Sequence, residues 1–455
     1  MKIPANRTLS LLTQNAFHTP EAAQAMAFQQ RLDASQWQGR DNISRLQLNL
    51  LKTLVRWAAE HVEAYADQLK VATILKAETL PAALAEIPIL SRDRFANNSL
   101  SFRSDTLPPG HKLAGTKRSS GTSGQVVAAE TTSIALGWQN ALSLRTFLWS
   151  GYDFSRPLAG IRSDRSGKAN YPEGLTDASW GEDVAFPFPT GPAHFLGIKA
   201  SLDEQWEWLG RRQLVYLFTY PSIVREFCAL AARGKDRPFR LAGISTVGES
   251  VDADLRDETK RQFGAELHDA YSAEEIGLIA TQCPTCRRYH SHDEALIVEI
   301  LDDAGKPCRP GQVGRIVLTP LHNYATPLLR YDIGDLAEAG TPCSCGRGLQ
   351  TINRIVGRYR NIFRLADGRT FWPSFGAKAF SSHAKVRKHQ FRQLAFDHLE
   401  VLLSVTEPVP AESELRIRET MLKRLPMAMR IDIRYVDDIP REAGGKYQEF
   451  VCLVK

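Results

Sequence analysis

Residues 213–264 read "QLVYLFTYPSIVREFCALAARGKDRPFRLAGISTVGESVDADLRDETKRQFG", and the order of patterns within that stretch decides the fold. "QLVYLF" is a short apolar run of strand length. "SIVREFCALAAR" repeats its apolar residues at helical spacing, "LAGISTVGE" is a second strand running into a glycine turn, and "DADLRDETKRQFG" is a helix closed by Gly264. Strand followed by helix, twice over, predicts an α/β unit with a substantially parallel sheet.

Working outward, the regions before and after read differently. "LQLNLLKTLVRWAAEHVEAYADQLK" (46–70) carries apolar residues at helical spacing without Gly or Pro, and residues 1–110 read as a mostly helical extension. "LPPGHKLAG" (107–115) is a loop, and "TTSIALGWQNALSLRTFLWSG" (131–151) is a helix ending at Gly151. "EALIVEILDDAGKPCRPGQVGRIVLTPL" (294–321) holds two β-rich runs about a turn-rich link and predicts antiparallel strands. Beyond "RIVGRYRN" (354–361) come a strand-like "LEVLLSVTE", a helical "ESELRIRETMLKRL" and a strand-like "RIDIRYV". The expected class is therefore α/β. A large N-terminal domain of mixed sheets flanked by helices (1–356) precedes a small α+β C-terminal domain (357–455).

The chain has 455 residues, 43% hydrophobic and 24% charged, with a net charge of +6. Those values are ordinary for a globular protein and leave room for a large core. Lysines and arginines are spread along the chain and are not interleaved with aromatics, so no nucleic-acid partner is expected; small anionic ligands would still be attracted. No apolar run is long enough to span a membrane and the N-terminus lacks a signal-peptide core, which predicts a cytoplasmic protein. A homodimer is compatible with the sequence.

Four of the seven cysteines form two tight pairs, in "CPTCRRYHSH" (283–292) and "PCSCGRG" (342–348). Such pairs in a reducing compartment point to a metal, and four thiolates suit tetrahedral Zn²⁺. Cys283, Cys286, His290, Cys343 and Cys345 compete for four positions, with the four-cysteine set preferred. The site is expected to be structural.

Further segments carry chemistry. "RSSGTSGQ" (118–125) packs Ser119, Ser120, Gly121, Thr122, Ser123 and Gly124 into a loop whose amides and hydroxyls suit phosphate. "DAYSAEEIG" (269–277) sets Glu274 and Glu275 side by side, which suits Mg²⁺. "LLRYDIGDLAE" (328–338) places Asp335 after a glycine turn, where a carboxylate can accept both hydroxyls of a ribose. "IPREAGGKYQEF" (439–450) offers Lys446 on a Gly-Gly turn.

Taken in order, these segments resemble the adenylate-forming superfamily of acyl-CoA synthetases and adenylation domains, and within it the phenylacetate–CoA ligase-like branch. "SSGTSG" matches the phosphate loop. "TVGES" matches the segment lying against adenine, which implicates Gly248, Glu249 and Ser250. "YSAEE" implies Tyr271 and Ser272 beside the adenine and Glu275 on magnesium. "YDIGD" puts Asp335 on the ribose, "GRYRN" makes 358–361 a hinge carrying Arg358, and "PREAGGK" makes Lys446 the lysine of a mobile lid. Gln125 stands where many relatives have lysine, and Arg360 where the hinge aspartate is expected. The resemblance implies ATP and Mg²⁺ as cofactors, structural Zn²⁺, and a small carboxylic acid substrate, with Lys446, Glu275 and Arg358 catalytic. It further implies an acyl-adenylate, then an acyl-CoA thioester made with coenzyme A. An aromatic acid is expected, with Phe186, Phe188 and His194 as candidate contacts. Two rivals stand beside this reading: transfer to an amine, hydroxyl or carrier-protein thiol, and a zinc-stabilised binding protein without turnover.

Overall fold

The computed structural model describes residues 20–118, 127–164, 166–181, 184, 189–212, 214–371, 380, 383–442 and 445–454. The quoted stretch folds as its pattern predicts. Strand Leu214–Thr219 leads into helix Pro221–Ala232, strand Arg240–Val247 and helix Ala253–Phe263. Asp252 caps the last helix, accepting from the Leu255 amide, and Gly264 closes it at φ 67°.

These strands occupy the parallel half of a thirteen-stranded sheet. Leu158–Arg162, Leu214–Thr219, Arg240–Val247 and Leu267–Ala273 run parallel side by side, with Ala193–Gly197 added outside Leu158–Arg162. The other half is antiparallel, from Gly277–Gln282 through Tyr289–Ser291, Thr351–Arg358, Tyr331–Ala339 and Val313–Pro320 to Leu296–Leu301. Helices cover both faces. Trp206, Trp208, Phe227 and Phe239 fill one side of the parallel half, and Tyr152, Trp180 and Tyr216 the other.

The early helices are integral to the large domain. Leu32, Leu51, Leu54 and Ala58 share one core with Ile316, Leu318, Tyr331 and Ile352 of the antiparallel strands. The long helix, Arg40–His61, stops short of the apolar pattern, because Val62 turns extended and bridges to Ser104. A tertiary backbone pairing overrides helical periodicity there.

A second domain has its own core, from Phe363 to Phe450, around helix Ala411–Leu422 and a four-stranded sheet. The expected strands appear as His398–Val405 and Arg430–Tyr435. Strand Val386–Ala395 was not legible, since "VRKHQFRQLA" is mostly charged or amide-bearing. Among the described residues no helix is long and apolar enough to cross a membrane.

Candidate active site

The carboxyl ends of the parallel strands open toward the second domain, where ligands of open α/β sheets bind. The glycine turn after Arg240–Val247 carries Gly248 (φ 83°), Glu249 and Ser250. The neighbouring strand brings Tyr271 and Ser272. Strand Tyr331–Ala339 supplies Asp335, paired in register with Arg358 of Thr351–Arg358. All of these line one cavity of about 230 Å³, and Lys446 enters it from the second domain. Two glycine turns far apart in sequence are brought into contact there: a Cβ at Gly248 would lie 3.1 Å from Lys446 Cε.

Asp335 is oriented from two sides. The Tyr271 hydroxyl donates to Oδ2 at 2.6 Å and Arg358 Nε approaches Oδ1 at 3.0 Å. The Asp335 carboxylate in turn holds the Arg358 guanidinium above its ordinary pKa. Arg358 also donates to the Ile333 carbonyl at 3.1 Å, which locks its plane. Below them, burial pushes Asp269 up to about 6, against hydrogen bonds from Thr246 and Tyr289.

The second domain is fastened beside Lys446. Arg441 Nη1 donates to Ser222 Oγ at 2.7 Å and to Glu249 Oε1 at 3.4 Å, and Nη2 to Glu226 Oε1 at 3.2 Å. The Tyr447 amide donates to Glu249 Oε1 at 2.7 Å. Glu249, expected against a nucleotide, gives Oε1 to the second domain and accepts the Ser222 amide of its own domain on Oε2. Gly445 (φ 79°) fits against Ile198, Ser163 and Tyr220, where a Cβ would sit 3.1 Å from Ile198 Cγ2.

Glu275 lies apart, in a smaller cavity of about 20 Å³ with Lys117, Thr131 and Gln139. Its Oε1 is bonded by Arg92 Nη1 and, at 3.0 Å, by the Tyr331 hydroxyl. Neither partner was singled out from the sequence: Arg92 opens the short helix Arg92–Asn97 in a charged segment indistinguishable from a surface turn. A buried carboxylate beside a cavity is the donor type a hard divalent cation takes, so Glu275 fits Mg²⁺ in chemistry, with the Arg92 guanidinium supplying the positive charge in the present arrangement. Lys117 lies in the strand Leu113–Arg118, paired with Ala128–Thr132. The phosphate-loop candidates Ser119, Ser120, Gly121, Thr122, Ser123 and Gly124 lie outside the described residues, as do Phe186 and Phe188. His194 is placed in strand Ala193–Gly197, bonded to Thr176 Oγ1 at 3.0 Å, away from the cavity.

The cysteine pairs meet as expected, with a different membership. Ligand atoms of Cys283, Cys286, His290 and Cys343 lie within 4.8 Å of one another. Cys345 stands outside that group, its Sγ 3.3 Å from His290 Nε2. Strand pairing of His290 with Thr281 and Thr351 carries the imidazole to the thiols, and its Nδ1 bonds the Leu349 carbonyl at 3.3 Å. That bond leaves Nε2 as the ligand atom, the usual arrangement around zinc. The preferred four-cysteine set is therefore not the most compact one; the donors present fit Zn²⁺ with one imidazole.

The fold is shared with solved CoA ligases that carry acyl-AMP. The chain matches 2-hydroxyisobutyryl-CoA ligase in its postadenylation state, bound to an acyl-AMP, with a TM-score of 0.69 at 16% identity over 90% of this chain and 89% of that one. The thioesterification state of the same enzyme gives 0.57 at 17% identity, over 90% of each chain. An anthranilate CoA ligase holding anthranoyl-AMP gives 0.54 at 15%, over 73% of this chain and 64% of that one. In sequence, the chain is 25% identical over 231 residues to phenylacetate-coenzyme A ligase of Thermus thermophilus, covering 44% of this chain. That alignment spans about half of the relative, 51% of its length. Residues 368–452 match the CapK C-terminal domain.

Proposed function

We propose that this protein is an ATP-dependent, AMP-forming carboxylic acid ligase. The observation that carries the reading is Lys446, delivered by one domain into a cavity that the other lines with Asp335, Arg358 and Tyr271. In the first half-reaction a substrate carboxylate oxygen bonds to the α-phosphorus of ATP as the bond to the β-phosphate bridging oxygen breaks, releasing pyrophosphate. Asp335 accepts the ribose hydroxyls, and Tyr271 and Arg358 hold it in place. Lys446 stabilises the charge growing between carboxylate and α-phosphate. Glu275 would hold a Mg²⁺ ion, which would supply positive charge to the phosphates. In the second half-reaction the thiol of coenzyme A attacks the acyl carbonyl carbon and AMP leaves, after the second domain turns about residues 358–361. The higher likeness to the postadenylation state supports assigning the present arrangement to the adenylation side. An aromatic acid is the favoured substrate, on the strength of the phenylacetate-coenzyme A ligase relative. Cys283, Cys286, His290 and Cys343 would hold Zn²⁺, which would staple two loops without entering either step.

A panel of aromatic and aliphatic acids, read by pyrophosphate release with and without coenzyme A, tests the reading. Acid-dependent pyrophosphate with thiol-dependent AMP is the expected result. AMP released only with an amine, hydroxyl or carrier protein would replace the acceptor, and pyrophosphate from no acid would remove the activity.

A further inference from the structure

A lysine is a point charge on a flexible four-carbon stem, so where it points depends on how firmly its backbone is held. The turn carrying Lys446 is closed on itself, with the Glu442 amide bonded to the Lys446 carbonyl at 2.9 Å and the Gly445 amide to the Glu442 carbonyl at 2.8 Å. Both ends of that turn are tied to one side chain of the other domain. Glu249 Oε1 accepts from Arg441 at 3.4 Å, just before the turn, and from the Tyr447 amide at 2.7 Å, just after it. Its Oε2 accepts the Ser222 amide at 2.9 Å, at the start of helix Pro221–Ala232. Glu226, one helical turn further on, takes the other arm of Arg441 at 3.2 Å.

We infer that Glu249 is a positioning residue for Lys446: its carboxylate grips both ends of the lysine turn, with Glu226 as the auxiliary anchor, and so holds the lysine at the α-phosphate during acid activation. This deepens the ligase reading and rests on it. It also reassigns Glu249, which the sequence places on the nucleotide. Because Glu249 follows Gly248 directly, the segment that would lie along the nucleotide is also the segment that captures the lid. Ligand seating and lid seating are then properties of one turn.

The test uses the full-length protein with Glu249→Gln and Glu226→Gln, each retaining the size of the side chain. For Glu249→Gln, adenylation measured by ATP–pyrophosphate exchange should lose about 10–100-fold in kcat, the scale of a misplaced catalytic group, with ATP KM within about threefold. Thioester formation from supplied acyl-adenylate and coenzyme A should hold or rise, since that step needs the grip released. Glu226→Gln should show the same split, smaller. Hydrogen exchange in the nucleotide-free proteins gives a readout independent of turnover: peptides covering 441–450 should exchange about tenfold faster in Glu249→Gln while those of strand His398–Val405 stay unchanged. A raised ATP KM with kcat preserved would make Glu249 a nucleotide ligand and overturn the inference, as would unchanged exchange over 441–450. If wild-type protein activates no acid, the ligase reading fails and the exchange experiment still decides the grip.

Discussion

Two buried arginine–glutamate clusters in this molecule use the same groups for opposite ends. Arg145 and Glu294 pair in parallel, Nη1 to Oε2 at 3.1 Å and Nη2 to Oε1 at 2.8 Å, with side chains only 0% and 2% exposed. Leu32 and Ser35 complete the set from the helix Pro20–Ser35, through the Leu32 carbonyl and the Ser35 hydroxyl. Each of these partners belongs to one domain. Arg441 instead spreads one guanidinium over Glu226, Glu249 and Ser222 across a domain boundary, at longer distances to the carboxylates and beside an open cavity. The first cluster lies within one core; the second joins two, and on the ligase reading a turn of the second domain would break it. Burial alone does not separate a structural ion pair from a working one; what separates them is whether the two sides share a core.

The sharpest way to break the contrast is at the closed pair. Arg145→Ala strands Glu294 without its cation and should cost about 3–5 kcal/mol of stability. Urea unfolding measures it, and ATP KM of the remaining folded enzyme should not move. At the open side, Lys446→Ala should lower adenylation by about 10²–10³-fold, or about 2.7–4 kcal/mol, with thioester formation from supplied acyl-adenylate near wild type. Equal loss in both half-reactions would make the lysine a folding element. Asp269 lies between the extremes, in the lining of the cavity and held by hydroxyls rather than by a guanidinium. Its carboxyl is raised from 3.8 to about 6 by burial. The folded state therefore binds the proton more tightly, and stability is lost as pH rises from about 4 to about 6, by up to roughly 3 kcal/mol. Asp269→Asn should flatten that part of the pH–stability curve, measured by urea unfolding at several pH values. Last, Asp335→Ala should weaken ATP at least about tenfold, given about 1.5–3 kcal/mol for each charge-assisted hydrogen bond. Isothermal titration checks it, and a change below about threefold would remove Asp335 from the ribose.

Much of the large domain was legible because hydrophobic period and glycine placement report local geometry. Residues 213–264 are the clearest case. The cavity residues were legible as separate short segments, whose convergence a sheet topology alone brings about. What stayed hidden were partners. Nothing in "SRDRF" marks Arg92 as the mate of Glu275, since an ion pair 183 residues apart has no signature in spacing. Glu249 was legible as part of the cavity turn, but its bonds to Arg441 and the Tyr447 amide were not, because partners 192 and 198 residues away leave no mark in spacing. Strand Val386–Ala395 escaped because its buried polar residues are satisfied internally: Gln393, fully buried, bonds the Arg364 amide and carbonyl at 2.9 and 2.7 Å.

The strand Thr351–Arg358 ends at Arg358 and the second domain's core begins at Phe363. A tether of residues 359–362 spans at most about 14 Å when fully extended. On the ligase reading, in which the second domain turns, so short a leash would keep it at a high, constant local concentration over the cleft, and its return would be a first-order event that dilution cannot slow. The excursion would then be a turn in place above the cleft, with a different face of the same domain presented for the second half-reaction.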